Sequence, residues 1–520
     1  MKKELVAVKS ARRLQTETEK PPSVHGESEG TRAYTDVESL SIAMDSAWLI
    51  ICTALVFYMQ AGFAMIEGGC CRAKNVQNIL LKNLTDVCVG IVSWWLVGWG
   101  FAYGGPYNDG FKVSGFVGME EFAGLGFYEK DGVGNIEPTP TTLNWVFQCA
   151  FCSAASTIVS GGVAERLNYP VYLFYSFCLT AFIYPVVVAW SWGYGFLASM
   201  NDVGYMDFAG SGIVHMTGGT GALVGAVLSG SRLGRWENPE EYTPHSMPLI
   251  VMGTFTLWFG WYGFNCGSTL AMSSAADGFK AAQVAMNTTV AAAAGGITVF
   301  SLRIALTRGM YDIGGFCNGI LAGLVSITAG CANVEVGSAF CIAILGGCFY
   351  QGASMTLQKL QIDDPIDAFA VHGVCGCWGT LAAAIFDWAG ADFYSGWCGF
   401  SCAVGKDGKC LEGAAYQGFI ANLCEVVVIC IWTAFWSIAV LYPFRSMGLL
   451  RATDEMQLYG FDVKKHSPTK AYVNETRIDK EEIRRQEAEE AERIRVEAEK
   501  EAQRKKKFKP VKRLNELAGG

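Results

Sequence analysis

The sequence predicts an all-α membrane protein, on three observations. Of its 520 residues, 51% are hydrophobic and only 17% are charged, and the charges gather at the two ends. Between those ends lie eleven predominantly apolar runs, each close to the roughly 20 residues that a spanning helix needs. Gly and Ala crowd the fifth to tenth runs, a composition that lets helix backbones approach closely in lipid. An ordinary soluble domain is excluded by this balance, and the net charge of −8 argues against a nucleic-acid partner.

Residues 1–46 read as a polar N-terminal extension. Met1-Lys2-Lys3 is not followed by the apolar core of a signal peptide, so the first apolar run is expected to be a retained helix. The predicted spans are 47–66, 86–105, 144–163, 170–196, 208–230, 247–270, 281–302, 313–331, 337–357, 367–387 and 415–442. Residues 106–143, rich in Gly, Pro and acid, form a long loop that could cover a vestibule. Residues 47–444 make up the transmembrane domain and 445–520 the tail. Within the tail, about 477–508 carries Glu–Arg and Glu–Lys pairs at helical spacing, which favours a solvated helix polar on most faces. Its apolar positions are sparse, so a spacer outweighs an oligomerisation helix, and the basic end from Arg504 to Arg513 could touch anionic lipid.

Loop charges predict the orientation. Arg72, Lys74, Lys82, Arg166, Arg232, Arg235, Arg303, Arg308 and Lys359 fall on one side with the basic tail after Arg445, which makes that side and the tail cytoplasmic. An odd number of crossings then puts the N-terminus outside. The 19 Cys lie mostly in apolar runs, where Cys behaves as a small hydrophobe. Cys398, Cys402 and Cys410 cluster in a polar loop, where a disulfide and three free thiols are equally open.

Two stretches stand out from this apolar background. Asp207 precedes His215 by eight residues, and Asp364 precedes His372 by the same interval, each at the start of a Gly-rich run. A helix rising about 1.5 Å per residue carries each imidazole roughly 12 Å deeper than its carboxylate. A lone membrane His is most often a helix–helix hydrogen-bonding partner. A pair is more telling, because ionisable groups at that depth face a bundle interior and mark substrate or proton paths. The first stretch begins the fifth span from outside and the second begins the tenth from inside, as two inverted five-helix repeats plus one extra helix would produce.

Trp190, Trp192 and Tyr194 end the fourth span, and the sixth ends in Trp258-Phe-Gly-Trp261-Tyr-Gly-Phe264-Asn-Cys-Gly-Ser268. Most aromatics at such a level form an interfacial belt. Rings meeting across a cavity could instead attract a small cation through their faces, with Ser268 accepting a hydrogen bond.

With these residues the chain resembles the ammonium transporter family (Amt/Mep/Rh), on its Amt side. The matching stretches are Met59-Gln-Ala-Gly-Phe-Ala-Met-Ile-Glu67-Gly-Gly, Arg72-Ala-Lys-Asn75, Gln148-Cys-Ala-Phe151, Ala164-Glu-Arg166, Asp207-Phe-Ala-Gly, Trp261-Tyr-Gly-Phe-Asn265 and Asp363-Asp-Pro-Ile-Asp-Ala-Phe-Ala-Val-His372-Gly. The resemblance covers about residues 45–445. It implies transport of ammonium through a homotrimer in the cell membrane with one pore per subunit, with no cofactor, no metal and no enzymatic step. Trp192 and Ser268 would form an outer cation-binding vestibule with Trp261 nearby, and Asp207 would be the acidic residue beneath it. Phe151 and Phe264 would form a stacked gate, and His215 and His372 the twin-His pair.

Elementary chemistry points the same way. A bare cation is costly at mid-bilayer, whereas a small neutral amine passes between two Phe rings, so deprotonation during passage is expected. Imidazole titrates near neutrality and can donate from one nitrogen while accepting at the other, so a proton could follow along the His pair.

The segment Arg451-Ala-Thr-Asp-Glu-Met-Gln-Leu-Tyr-Gly-Phe-Asp462, then His466, resembles the family's proximal tail, which packs beneath a neighbouring subunit and couples the pores. Lys464 stands where plant members carry a regulatory Thr, and Ser467-Pro468 replaces a Gly after His466. Control at that phosphosite is therefore not expected, although Thr453, Ser467 and Thr469 supply other hydroxyls and a cytoplasmic regulator of the tail is possible. The main rival is an ammonium sensor that uses the same vestibule without useful flux. A membrane redox enzyme with His215 and His372 as axial ligands lacks further ligands at metal-site spacing.

Overall fold

The computed structural model describes residues 35–130, 134–202, 204–387 and 416–472, together with residues 492, 495, 496 and 499. One compact unit extends to Thr469, and Lys470–Gly520 forms a second. Cys398, Cys402 and Cys410 lie outside the described residues, as does most of the charged segment 477–508; within it, Arg495 pairs with Glu492 and Glu499.

The first unit is a helical bundle. Its long helices are α1 (Asp36–Cys70), α2 (Ala73–Tyr103), α3 (Thr141–Gly162), α4 (Tyr169–Trp190) and α5 (Ser211–Ser229). There follow α6 (Met247–Gly267), α7 (Ala275–Leu306), α8 (Ile313–Thr328), α9 (Val336–Lys359), α10 (Phe369–Ile385) and α11 (Gln417–Ser446). Among the described residues, eight of these, α1 to α5 with α7, α9 and α11, are long and apolar enough to cross a membrane. The helices α8 and α10 are shorter apolar helices, and α6 has 21 residues.

Local chemistry sets the ends of these helices. Thr35 and Glu38 form a capping box, so α1 begins at Asp36, ahead of the apolar run expected from 47. Ser274 and Asp277 do the same for α7, and Asp312 caps α8 through the Gly315 N–H. The outward faces are apolar: on α11, Ile420, Leu423, Val427, Ile431, Phe435, Ile438 and Tyr442 are exposed. A lipid-facing helix needs that exposure, because its backbone is satisfied internally and its side chains meet hydrocarbon.

Polar groups turn inward instead. Lys82, expected in a loop, lies inside α2, where its Nζ donates to the Ser160 carbonyl at 2.7 Å and pairs with Glu67 at 3.4 Å. Asp86, one turn further on, accepts from Ser156, Thr157 and Ser176. With partners on α1, α3 and α4, neither residue needs water, so α2 starts well before the apolar run expected from 86.

Helices α5 and α10 approach closely at Gly219, where an added β-carbon would lie 2.1 Å from the Gly373 backbone nitrogen. Only glycine fits there. The connection between α2 and α3 folds into two short hairpins, β1 (Tyr107–Asn108) with β2 (Phe111–Lys112), and β3 (Tyr128–Lys130) with β4 (Ile136–Pro138). Its backbone is tied to the segment after α4 by Lys112 N–H to Tyr194 and by Phe196 N–H to Gly115.

At the opposite ends of these helices, an ionic cluster gathers several connections. The Glu165 carboxylate, between α3 and α4, accepts from Arg72 and Asn75 and pairs with Arg232, which also pairs with Asp363 at 2.8 Å. Burial pushes the Glu165 pKa up, but the guanidiniums of Arg232 and Arg72 outweigh it and hold the value down at about 2. Asp364, buried beside Asp367, is instead pushed up to about 6.

The proximal tail packs onto this cluster within the same chain. Arg451 donates to the carbonyls of Ser229 and Ser231, and the Ala452 N–H bonds to the Arg166 carbonyl. The tail continues as α12 (Asp454–Tyr459), capped by Thr453, and α13 (Phe461–Lys465). The Asp462 carboxylate then accepts from the Gln77 and Asn78 N–H groups at the head of α2, at 2.9 and 3.0 Å. The α-helical part of α2 starts at Val76, after a 3-10 turn over Ala73–Asn75, so Gln77 and Asn78 lie in its first turn and Asp462 serves as their cap.

Two outcomes follow from this packing. Gly219→Val should destabilise the purified protein by about 3 kcal/mol, read as a lowered thermal unfolding temperature, because backbone cannot move aside as a side chain can. The folded-state value of Glu165 lies below its ordinary 4.5, so its stabilisation is fully present above that pH and is lost as pH falls towards 2. Unfolding temperature should therefore drop through that window by an amount corresponding to about 3 kcal/mol. Glu165→Gln should flatten that part of the profile, and an unchanged slope would refute the assignment.

Candidate functional site

The helices bring six rings into one column. Phe151 of α3 and Phe264 of α6 stack with centroids 4.0 Å apart and planes 27° apart. On one side, Trp192 meets Phe151 edge-on at 5.8 Å. On the other, His215 stacks on Phe264 at 5.4 Å, and His372 follows His215 at 5.3 Å. Phe63 of α1 closes the column, 6.2 Å from His372. Both Phe rings and both imidazoles are buried.

The two His side chains come from equivalent places. His215 lies in a π-helical turn, Ser211–Met216, and His372 in another, Phe369–Val374. A π turn inserts an extra residue and rotates the side chains beyond it, a device found often at functional sites. Here it aims the imidazoles at each other, with Nδ1 atoms 3.2 Å apart. In such a contact one Nδ1 donates and the other accepts, so the two rings hold complementary tautomers. The His215 Nε2 atom is buried and has no hydrogen-bond partner among the described residues.

Asp207 organises the head of α5. One of its oxygens accepts the N–H groups of Gly210 and Ser211, and the other those of Gly212 and Ile213, at 2.8 to 3.0 Å. These are the amides that a helix start leaves unpaired. Its own carbonyl accepts from the Trp192 indole at 3.0 Å, so one residue fixes both the outermost ring of the column and the turn bearing His215. At α10 the Asp364 carboxylate accepts the Phe369 N–H, and Asp367, with φ at 59°, accepts from Tyr350 and Ser354.

Of the residues expected to handle substrate, Phe151, Phe264, His215, His372 and Trp192 fall in the column and Asp207 lies at its edge. Trp261 is fully buried and lies flat on His215 at 5.0 Å and 5.8 Å from Phe264, its indole donating to Thr328. Ser268, half-buried at the end of α6, donates its hydroxyl to the Phe264 carbonyl at 2.9 Å. Trp190 packs against Trp432 and Phe116, away from the column.

Sequence reasoning missed Phe63, Thr328 and Glu425, the last buried in α11 with its carboxyl turned towards Asp207. Phe63 lies within the matching stretch Met59–Glu67 with nothing to set it apart from the other apolar residues there, and Thr328 has no local signal, since hydroxyl residues are common in spans. Glu425 has one, as an acidic residue inside an apolar run. Among the described residues, no group of three or more His, Cys, Asp or Glu is arranged to hold a metal ion.

Residues 47–472 match the family model described as Ammonium Transporter Family. Ammonium transporter Amt2 of Archaeoglobus fulgidus is 36% identical over 455 residues, covering 85% of this chain and 91% of that protein. Ammonium transporter 1 member 2 of Arabidopsis thaliana is 35% identical over 422 residues, covering 76% and 78%. Among solved structures, one named "Sensor Amt Protein" superposes with a TM-score of 0.70 at 30% identity, covering 82% of this chain and 99% of that one. Saccharomyces cerevisiae Mep2 gives 0.68 at 27% identity, covering 83% and 96%.

Asp207→Asn tests the organising role of that carboxylate. An amide has one oxygen for four N–H donors, so thermal stability in detergent should fall by about 2 kcal/mol. An unchanged unfolding temperature would show that packing alone holds the head of α5.

Proposed function

The chain belongs to the ammonium transporter family, and on that premise we propose that it conducts ammonium across a membrane as ammonia, releasing a proton that travels along the His215–His372 pair. The observation that carries this reading is the continuous column in which the stacked Phe151 and Phe264 lead directly onto two imidazoles in Nδ1-to-Nδ1 contact.

Each part of the column has a task in this reading. The Trp192 ring edges the entrance, where an aromatic face favours a small cation, and Ser268 offers an oxygen near the end of α6. Trp261 acts deeper, holding His215 flat and keeping water from its face. The two Phe rings cannot replace the water lost by a cation, so ammonium is retained while neutral ammonia passes. Ammonium gives ammonia plus one proton, and the imidazole contact accepts that proton on one ring and passes it to the next. Potassium has no proton to release and is refused.

The same reading includes eleven crossings, arranged as two inverted five-helix repeats plus α11. Its support is the matched pair of π turns, each preceded by a buried Asp that caps backbone N–H groups. The charged loops and docked tail then face the cytoplasm, the Trp192 end faces outward, and the protein sits in the cell membrane as a homotrimer.

A sensor is the second reading, favoured by the superposition on "Sensor Amt Protein" and by the separate charged unit Lys470–Gly520. Ammonium uptake and membrane current, measured together in cells lacking their own ammonium transport, separate the two. Saturable uptake with current is expected, reduced about a hundredfold by His372→Ala, the scale of a lost proton-transfer group. Uptake without current would remove the proton step. Binding without uptake, in both the intact chain and a chain truncated after Tyr472, would favour the sensor.

A further inference from the structure

Glu425 is the one acidic side chain in α11, and it is fully buried. It belongs to an inward stripe of Asn422, Glu425, Ile429, Thr433 and Ser437. Asn422, one turn earlier, accepts from the Met206 N–H at 2.8 Å and donates to the carbonyls of Met206 and Thr380 at 2.9 and 2.6 Å. That clamp ties α11 to α10 and to the segment leading into Asp207.

The clamp delivers the Glu425 carboxyl to the head of α5 at a glycine. A β-carbon built on Gly212 would stand 3.1 Å from Glu425 Oε1, 3.3 Å from Asp207 Oδ2 and 2.8 Å from Thr380 Oγ1. With no side chain at 212, the two carboxyls face each other across that position. Among the described residues, neither Glu425 oxygen finds a hydrogen-bond partner of good geometry. The titratable groups facing it are Asp207 and Cys424, and α10 offers only the Thr380 hydroxyl there. Further along α11, Cys377 of α10 faces Cys430 and Tyr175 of α4 faces Ser437.

Two carboxylates this close, buried and with no cationic side chain facing Glu425 among the described residues, cannot both stay charged. Asp207 receives four N–H donors, which favour its charged form. Glu425 receives none, so the proton falls to it.

We propose that Glu425 is a proton-carrying positioning residue whose neutral carboxyl donates to the Asp207 carboxylate, so that the head of α5 carries a single negative charge. This rests on the transport reading for its consequence. Asp207 holds both Trp192 and the turn bearing His215, so Glu425 steadies the ring column without touching substrate. A second full charge at that level would trap ammonium as the cation instead of letting it lose its proton.

The test compares purified full-length protein with Glu425→Gln and Glu425→Leu, by infrared difference spectroscopy and by ammonium uptake. Wild type should show the carbonyl band of a protonated carboxylic acid that disappears in Glu425→Gln. Uptake should fall about tenfold in Glu425→Leu, the scale of one lost hydrogen bond to a charged group, and Glu425→Gln, which keeps a donor, should restore most of it. A band absent from wild type, a band that persists in Glu425→Gln, or equal impairment of the two variants overturns the proposal. If the band behaves as expected while no form of the protein moves ammonium, the shared proton stands and the transport reading falls.

Discussion

The carboxylate of Asp207 gathers four backbone N–H groups at the head of α5, and the geometry of the ring column depends on that turn. A buried helix start leaves amides that lipid cannot satisfy, so a capping acceptor there is a physical necessity. Spending both carboxylate oxygens on the backbone also leaves the acid as a fixed field rather than a free ligand. Through its carbonyl the same residue holds the Trp192 indole, so the outermost ring of the column and the turn bearing His215 share one anchor.

The two ends of the bundle solve different electrostatic problems. At the Glu165 end, charge is cancelled locally: Glu165 and Asp363 share Arg232, and the Arg166 guanidinium bonds to four backbone carbonyls. That closed network lets the tail dock through Arg451 and Asp462, since an unpaired buried charge would cost more than docking returns. At the other end, rings and neutral-capable imidazoles replace ion pairs. One end holds chain segments in register through charge, and the other holds its side chains by ring stacking.

Much of this was legible in order along the chain. Apolar runs located the helices because a bilayer demands length and hydrophobicity together, and the equal Asp–His spacings at 207–215 and 364–372 singled out the two helix starts that meet. Helix boundaries were less legible where polar residues are satisfied by partners far away in sequence. Lys82 read as part of the loop before a span starting at Asp86, yet α2 runs through both because α1, α3 and α4 supply their partners. Likewise Thr35 and Glu38 start α1 by a local cap that outranks the apolar count.

By itself, then, the sequence determined a bundle of apolar helices, its ring and imidazole residues, and the family to which they belong, since composition, spacing and motif are all local properties. Tertiary structure alone decided that Trp261 lies flat on His215, that the imidazoles meet through their Nδ1 atoms, and that Glu425 faces Asp207 across Gly212. The reason is geometric. Which face of a helix meets which neighbour depends on π turns and on close backbone approaches such as that of Gly219 to Gly373, and these are fixed only when distant segments pack.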